Sequence, residues 1–334
     1  AAFSGNMAPV DSVIMPLLGL AVPVLLIVNL ITALCWALAR KRWALIPLVA
    51  FFCNWGYLTS VFQLHLPKDK TPAGKYLKIA TYNIHNFGGE ITGYSCKEIA
   101  RYMQQEGVDV LCFQEFGDNS DFPTDSIRRV LSHWSHALIP SEDSVKGVLP
   151  IAVFSRYPLA NHRFITYQHS SNCSMMCDVV MGTDTIRLIN NRLQTASVSQ
   201  KRRKWERELA TDDTRREVQA AKDAAGTLHE NFMKRATQTY VISHYAKTSP
   251  YPVLLCGDFN SIPSSYTYHH LRKTLKDGFR TAGNGYMYTY RYAKRMLRID
   301  YIFHSPSLKG IEYYSPDLDL CSDHNPVIME VEIQ

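Results

Sequence analysis

The sequence lacks the patterns that would mark a zinc protein or a disulfide-stapled one. Its eight cysteines are scattered, with no CxxC pair, and no Cys/His group has zinc-site spacing. Cys173 and Cys177 are close enough in sequence to pair in an oxidising compartment, but buried free thiols are the expectation. There is no clear internal repeat and no low-complexity tract, so neither a repeat array nor a disordered tail organises the chain. The formal net charge of +6 over 334 residues permits an anionic substrate or a membrane surface and demands neither. That length suffices for one large α/β domain or two ordinary ones.

The most informative absence is of charge. From Ser12 to Ala39 there is no Lys, Arg, Asp or Glu, a run able to cross roughly 30 Å of hydrocarbon and longer than a signal peptide's apolar region. It is read as a transmembrane helix, about 12–39. Arg40-Lys41-Arg42 follows, and then a second uncharged run, 43–66, made poorer by Asn54, Gly56, Gln63 and His65. Two spans joined by a basic turn form a helical hairpin with the turn in the cytoplasm. The alternative for the second run is a buried or interfacial helix. The hairpin reading makes residues 1–66 an anchor in the inner (cytoplasmic) membrane and places everything after Pro67 in the periplasm or outside the cell. The sequence starts at Ala1 without an initiator Met, which leaves room for an upstream span.

Residues 67–76 are polar and rich in breakers and read as a linker, with a soluble domain over 77–334. Strands are expected at 77–83, 108–115, 150–155, 184–190, 253–258 and 298–303, with a last one before residue 333. Helices are expected at 97–105, 127–133 and 266–276. A proline-free stretch from Ser199 to Lys247 should be largely helical, with an interruption near Gly226. That stretch holds eleven Lys and Arg against seven Asp and Glu. Its basic start suits phosphates or lipid head groups, or simply a solvated face.

Several strand ends carry polar residues. Val253-Leu254-Leu255-Cys256-Gly257 is an apolar run that then presents Asp258 and Asn260, two positions apart and so on one face. Alone this reads as well as a strand followed by an Asx turn. Asn83, Glu115, Asp300, Asp323 and His324 repeat the coincidence on four other strand-like segments, which suits a site better than a scaffold. Hard oxygen donors of this kind suit Mg²⁺ or Mn²⁺.

Thr81-Tyr82-Asn83, Phe113-Gln114-Glu115, Gly257-Asp258-Phe259-Asn260, Arg298-Ile299-Asp300-Tyr301 and Ser322-Asp323-His324-Asn325-Pro326 resemble, in order and spacing, the signatures of the endonuclease/exonuclease/phosphatase superfamily. That superfamily includes pancreatic-type deoxyribonucleases, apurinic-site endonucleases, neutral sphingomyelinases and inositol-polyphosphate 5-phosphatases. The resemblance covers about Leu77 to the C-terminus. It implies a four-layer α/β sandwich, with two mixed sheets face to face and helices outside, cleaving phosphate esters with a divalent metal. It also implies that Glu115, with Asn83 and Asp323, holds the metal. Asp258 would orient or deprotonate water, Asn260 would hold a phosphate oxygen, and His324 paired with Asp300 would stabilise phosphoryl charge.

One position departs from that pattern. In Ile189-Asn190-Asn191-Arg192-Leu193-Gln194, Arg192 stands where many members carry a second catalytic His. A guanidinium binds phosphate but does not donate a proton near neutral pH. Glu115 is followed by Phe116-Gly117 rather than a basic residue, which leaves the substrate class open between nucleic acid and phospholipid or sphingolipid head groups. The expectation is a membrane-tethered, metal-dependent phosphoesterase. The alternative is a catalytically impaired relative that binds phosphate-bearing ligands.

Overall fold

The structure, a computed structural model, describes residues 3–12, 14–66, 70–71, 74–140, 147–195 and 214–333. The first uncharged run forms one continuous helix, α1 (Ile14–Leu38), about 37 Å long at about 1.5 Å per residue. By length and composition it is able to cross a membrane. Only Gly19, Val22 and Leu26 of it are buried, while Leu30, Ile31 and Leu34 are exposed. It is therefore not the core helix of a soluble unit.

The second run departs from the single span expected over 43–66. It forms α2 (Leu45–Cys53) and α3 (Trp55–Val61), bent by 60° at a break on Asn54. Asn54 turns its amide back onto Ala50 O at 2.9 Å, and Gly56 follows, so the helix is weak where it breaks. The run ends as β1 (Phe62–Gln63), which pairs antiparallel with β11 (Gly285–Tyr286).

The remaining elements are β2 (Lys75–Asn83), α4 (Tyr94–Gln105), β3 (Val110–Gln114), α5 (Thr124–Val130), β4 (His136–Leu138), β5 (Ile151–Ser155), β6 (Leu159–Thr166), β7 (Cys173–Met181), β8 (Asp184–Arg192), α6 (Thr214–Lys247), β9 (Val253–Asp258), α7 (Tyr266–Leu271), β10 (Lys276–Asp277), α8 (Gly278–Ala282), β12 (Asp300–His304), β13 (Leu308–Tyr314) and β14 (Val327–Ile333). The helix α6 runs through Gly226 without the expected interruption. Residues 199–213, with the basic start of the expected helix, lie outside the described residues. The expected helix 266–276 stops at Leu271, and Lys276 already belongs to β10. Seven strands were not legible, three of them, β1, β10 and β11, being only two residues long. Of the rest, β4 is very short, β6 is a half-exposed edge, β7 opens on Cys, Ser and Met with its two valines only near its end, and β13 carries a bulge.

Two six-stranded sheets result, in the orders β10-β12-β9-β8-β7-β6 and β13-β14-β2-β3-β5-β4. Each is mixed, because β2–β3 and β8–β9 are parallel and their other pairings antiparallel. Leu77, Ile79, Val110 and Cys112 from one sheet meet Leu188, Leu254, Cys256 and Ile302 from the other. On the outer faces, Ile99 and Met103 of α4 cover one sheet, and Ile242 of α6 with Leu271 of α7 cover the other. This is the expected four-layer sandwich. Cys173 and Cys177 are buried free thiols between the sheets.

The N-terminal elements are fastened to this sandwich. Arg298, fully buried, grips Asp277 through two bonds of 2.8 and 2.5 Å and donates a third to Ser60 O in α3 at 2.7 Å. Met287 N donates to Val61 O at 2.9 Å. At the other end, Ser4 Oγ donates to Ser264 O at 3.2 Å and Ser264 Oγ to Gly19 O in α1 at 2.8 Å.

Candidate active site

Strand parity decides which side chains arrive at the site. On β2, Leu77 and Ile79 point between the sheets while Ala80 and Tyr82 point outward, so Asn83 ends the strand facing inward. On β9, Leu254 and Cys256 face the same interior and Asp258 continues their register. Parallel pairing sets Arg192 of β8 beside Asp258, and antiparallel pairing sets Asp300 of β12 on the other side of it. Gly257 has φ +132°, and a Cβ there would lie 1.9 Å from Asn191 O. Only glycine allows β9 to lie so close to β8 just before Asp258. Glu115 and Asn260 both have positive φ, +50° and +47°, an uncommon state for such residues that concentrates at functional sites.

The side chains form one connected set. Asn83 Nδ2 donates to Glu115 Oε1 at 3.0 Å and to Asp258 Oδ2 at 3.2 Å. Asp258 also accepts from Asn260 N at 2.9 Å and from Asn260 Nδ2 at 3.0 Å. The same Asn260 amide donates to Leu193 O at 3.0 Å. Gln114 and Asn190 join the two sheets below the site through a 2.6 Å bond.

His324 Nδ1 lies 2.9 and 3.1 Å from the two oxygens of Asp300. That contact places the proton on Nδ1 and turns Nε2 toward the mouth. Burial pulls the imidazole down, yet the carboxylates of Asp300 and Asp258 outweigh it and hold His324 well above its usual range. Burial in turn pushes Asp300 up, against the pull of the imidazole. Tyr290 stands edge-on to His324 with ring centroids 5.3 Å apart. Its phenol is pushed up to about 12 by burial first and Asp323 second.

Glu115 accepts from Arg192 at 2.6 Å (Nη2) and 3.1 Å (Nε), both at Oε1. Its Oε2 faces only the exposed ring of His85, at 3.2 Å. Burial pushes the carboxyl up, but Arg192, Asn83 and His85 together hold it at about 2. The remaining nitrogen of Arg192 reaches Asn172 Oδ1.

Sequence reasoning missed Arg235, which it counted only as one charge of a helix. On α6 this residue is 4 % exposed. Its Nη1 donates to Asn260 O and to Ser261 Oγ, the latter at 3.1 Å, while Nε and Nη2 have no hydrogen-bond partner among the described residues. Burial pulls the guanidinium down to about 10. A buried cation with open donors is costly unless something anionic meets it.

Glu115, Arg192, Arg235, Asp258, Asn260, Asp323 and His324 line one cavity of about 670 Å³, with Asn83 and Asp300 bonded just behind its wall. The donor set fits a hard divalent cation. Glu115 Oε2, the Asn83 amide oxygen and Asp323 offer oxygens, and no thiol lies among the lining groups. Asp258, Asp300 and His324 also bring ligand atoms within 4.8 Å of one another. A cation held there by Nδ1 would break the His324–Asp300 bond, so that trio is better described as a proton-holding network.

Residues 80–324 match the Endonuclease/Exonuclease/phosphatase family, and the chain belongs to it. Members of that family are generally metal-dependent phosphoesterases. Residues 1–61 match a domain of unknown function, DUF8431. No curated protein matches the sequence. Among solved structures, the endonuclease/exonuclease/phosphatase from Bacteroides vulgatus is similar at TM-score 0.55 and 16% identity, over 78% of this chain and 100% of that one. The protein of the same description from Beutenbergia cavernae gives 0.55 and 16%, over 78% and 72%. D. rerio TDP2, complexed with a single-strand DNA product, gives 0.54 and 13%, over 77% and 99%. At these identities the likeness is one of fold.

Proposed function

We propose that the protein is a membrane-tethered phosphoesterase that uses a divalent metal, Mg²⁺ or Mn²⁺, to hydrolyse phosphate esters. The observation that carries this reading is the Asn83-centred bridge between Glu115 and Asp258, set opposite the His324–Asp300 pair in one cavity. Asp258, held by Asn83 and Asn260, orients the attacking water and takes its proton. His324, kept charged by Asp300, offers Nε2–H to the phosphoryl oxygens as negative charge develops. Asn260 has both amide hydrogens engaged, so it positions Asp258, and the open donors of Arg235 take the phosphate oxygen. Glu115, with Asn83 and Asp323, would hold the metal. Bound there, the metal supplies Lewis-acid stabilisation of the phosphoryl charge.

Residues 1–66 act as the anchor, 67–76 as the linker and 77–334 as the catalytic domain, outside the cytoplasm. Two contacts support that orientation: Ser4 and Val61 both bond to the catalytic domain. Both ends of the hairpin thus lie on the domain's side, opposite Arg40-Lys41-Arg42.

A second reading, a relative that binds phosphate esters without turnover, is favoured by the grip of Arg192 on Glu115. The test is release of nitrophenol from bis(p-nitrophenyl) phosphate by the full chain in detergent. Turnover that EDTA abolishes and Mg²⁺ or Mn²⁺ restores is expected. Binding of inorganic phosphate with no turnover in either metal would select the second reading.

A further inference from the structure

The cavity has two chemically different ends. At one end stand Asp258, His324 and the open donors of Arg235. The other is lined by the chain's own beginning, Pro9, Pro16 and Leu20, with Ile262, whereas Phe232 lies under the Arg235 guanidinium, 5.4 Å from its ring centroid. The wall is seated on the domain by the Ser4–Ser264 and Ser264–Gly19 bonds. Gly19 suits the close fit, since a Cβ there would come within 3.1 Å of Ser4 Oγ and 3.2 Å of Ser264 O, close enough that a neighbour would have to shift slightly. Beyond Leu20, α1 continues with Val24, Leu25 and Val28 exposed, so the apolar end of the cavity leads directly onto the face of the apolar helix.

We infer that the substrate is an amphiphile, a phosphate ester whose hydrocarbon chain lies in the cleft against Pro16 and Leu20 of α1. The inference rests on the phosphoesterase reading and names its substrate class. Charge argues the same way. Among the cavity's described lining residues the only Lys or Arg side chains are Arg192 and Arg235, both at the polar end, and Arg192 is spent on Glu115. One cation with open donors matches one phosphoryl group. A polynucleotide, with a phosphate at every step, calls for cationic groups continuing along its path, and here the described lining continues in Pro9, Pro16, Leu20 and Ile262 beside the uncharged Ser4, Ser264 and Ser265. A hydrocarbon chain gains from that wall what a polyanion would lose.

The test uses the full chain in mixed micelles with Mg²⁺, at fixed surface concentration, on phospholipids that share one head group and differ in acyl length. We expect kcat/KM to rise by up to about fourfold for each methylene the groove buries, then to level off. Leu20→Trp, which fills the groove, should cut the long-to-short ratio by about tenfold, and Leu20→Ala should lower it less. A flat chain-length series, an unchanged ratio in both variants, or a higher kcat/KM on single-stranded DNA than on any lipid would overturn the inference. Should no ester turn over, a long-chain alkyl phosphate carrying a diazirine in its chain separates the two failures. Cross-links within residues 16–20 would uphold the amphiphile site and sink the catalytic reading, and their absence would sink the site.

Discussion

The buried Arg192 and the partly exposed Glu115 form an ion pair in which one carboxylate oxygen takes two guanidinium N–H groups, at 2.6 and 3.1 Å. Unit charges about 4 Å apart are worth about 4 kcal/mol at an effective dielectric near 20, so the guanidinium competes with any cation that approaches this carboxylate. Arg192→Met should therefore tighten Mn²⁺ binding about tenfold or more, as measured by calorimetry on the full chain. Unchanged Mn²⁺ affinity would remove Glu115 from the ligand set.

Arg235 offers a prediction of opposite signs for stability and activity. Its two nitrogens without a partner among the described residues each cost about 1–3 kcal/mol when buried, a cost that a methionine of similar length does not carry. Arg235→Met should raise the Tm in detergent and raise KM about tenfold or more, the loss of one charge-assisted bond to phosphate. Inorganic phosphate should stabilise the wild type but not the variant. A lower Tm together with an unchanged KM would make Arg235 a structural residue.

Asp258→Asn keeps the size of the side chain but removes the base, and its amide nitrogen can no longer accept at least one of the bonds that Asn83 and Asn260 donate to Asp258. Turnover should fall by about 10²–10⁴, while the Tm drops only by what about one lost buried hydrogen bond costs, roughly 1–3 kcal/mol. The acid form of the prediction is as direct: activity that survives the substitution within a factor of two places the base elsewhere.

The strand-borne part of this site was legible because it obeys a period of two. Asp258, Asp300 and Asn83 extend inward-facing rows that their own apolar neighbours declare, and Gly257 marks the close approach that aims Asp258. Arg235 obeys no such rule. It is one basic residue among many on a long helix, and only the packing of α6 against the Asn260 turn distinguishes it. The role of α1 was hidden for a different reason. Ser4 and Gly19 meet Ser264 across most of the chain's length, and no local pattern encodes such a contact. The bend at Asn54 was foreshadowed by the polar residues of the second run, although its angle comes from the docking of Val61 and Phe62 on the domain.

Arg298 and Asp277 make a prediction about pH. Burial pushes the Asp277 carboxyl up, but Arg298 and the Tyr268 hydroxyl hold it below its ordinary value. A depressed carboxylate stabilises the fold above its unfolded value, about 3.9, and that contribution fades as pH falls through the lowered folded value. The Tm of the wild type should drop steeply below about pH 4. Asp277→Asn should cost about 3–5 kcal/mol at neutral pH, because Arg298 is left buried without its counter-ion, and should flatten the acid limb. Parallel acid limbs in the two proteins would show that another carboxylate governs it.

The pairing of β1 with β11 also carries a consequence for how the protein is made. Phe62–Gln63 leaves the ribosome long before Gly285–Tyr286, and so does Ser60, the carbonyl partner of Arg298. The membrane end of the chain therefore waits without its partner until the domain's last third is synthesised, and the small β1–β11 sheet forms only then. A protein begun at Lys75 would leave β11 unpaired, remove the Ser60 carbonyl from the buried Arg298, and open the cavity where Pro9, Pro16 and Leu20 now line it.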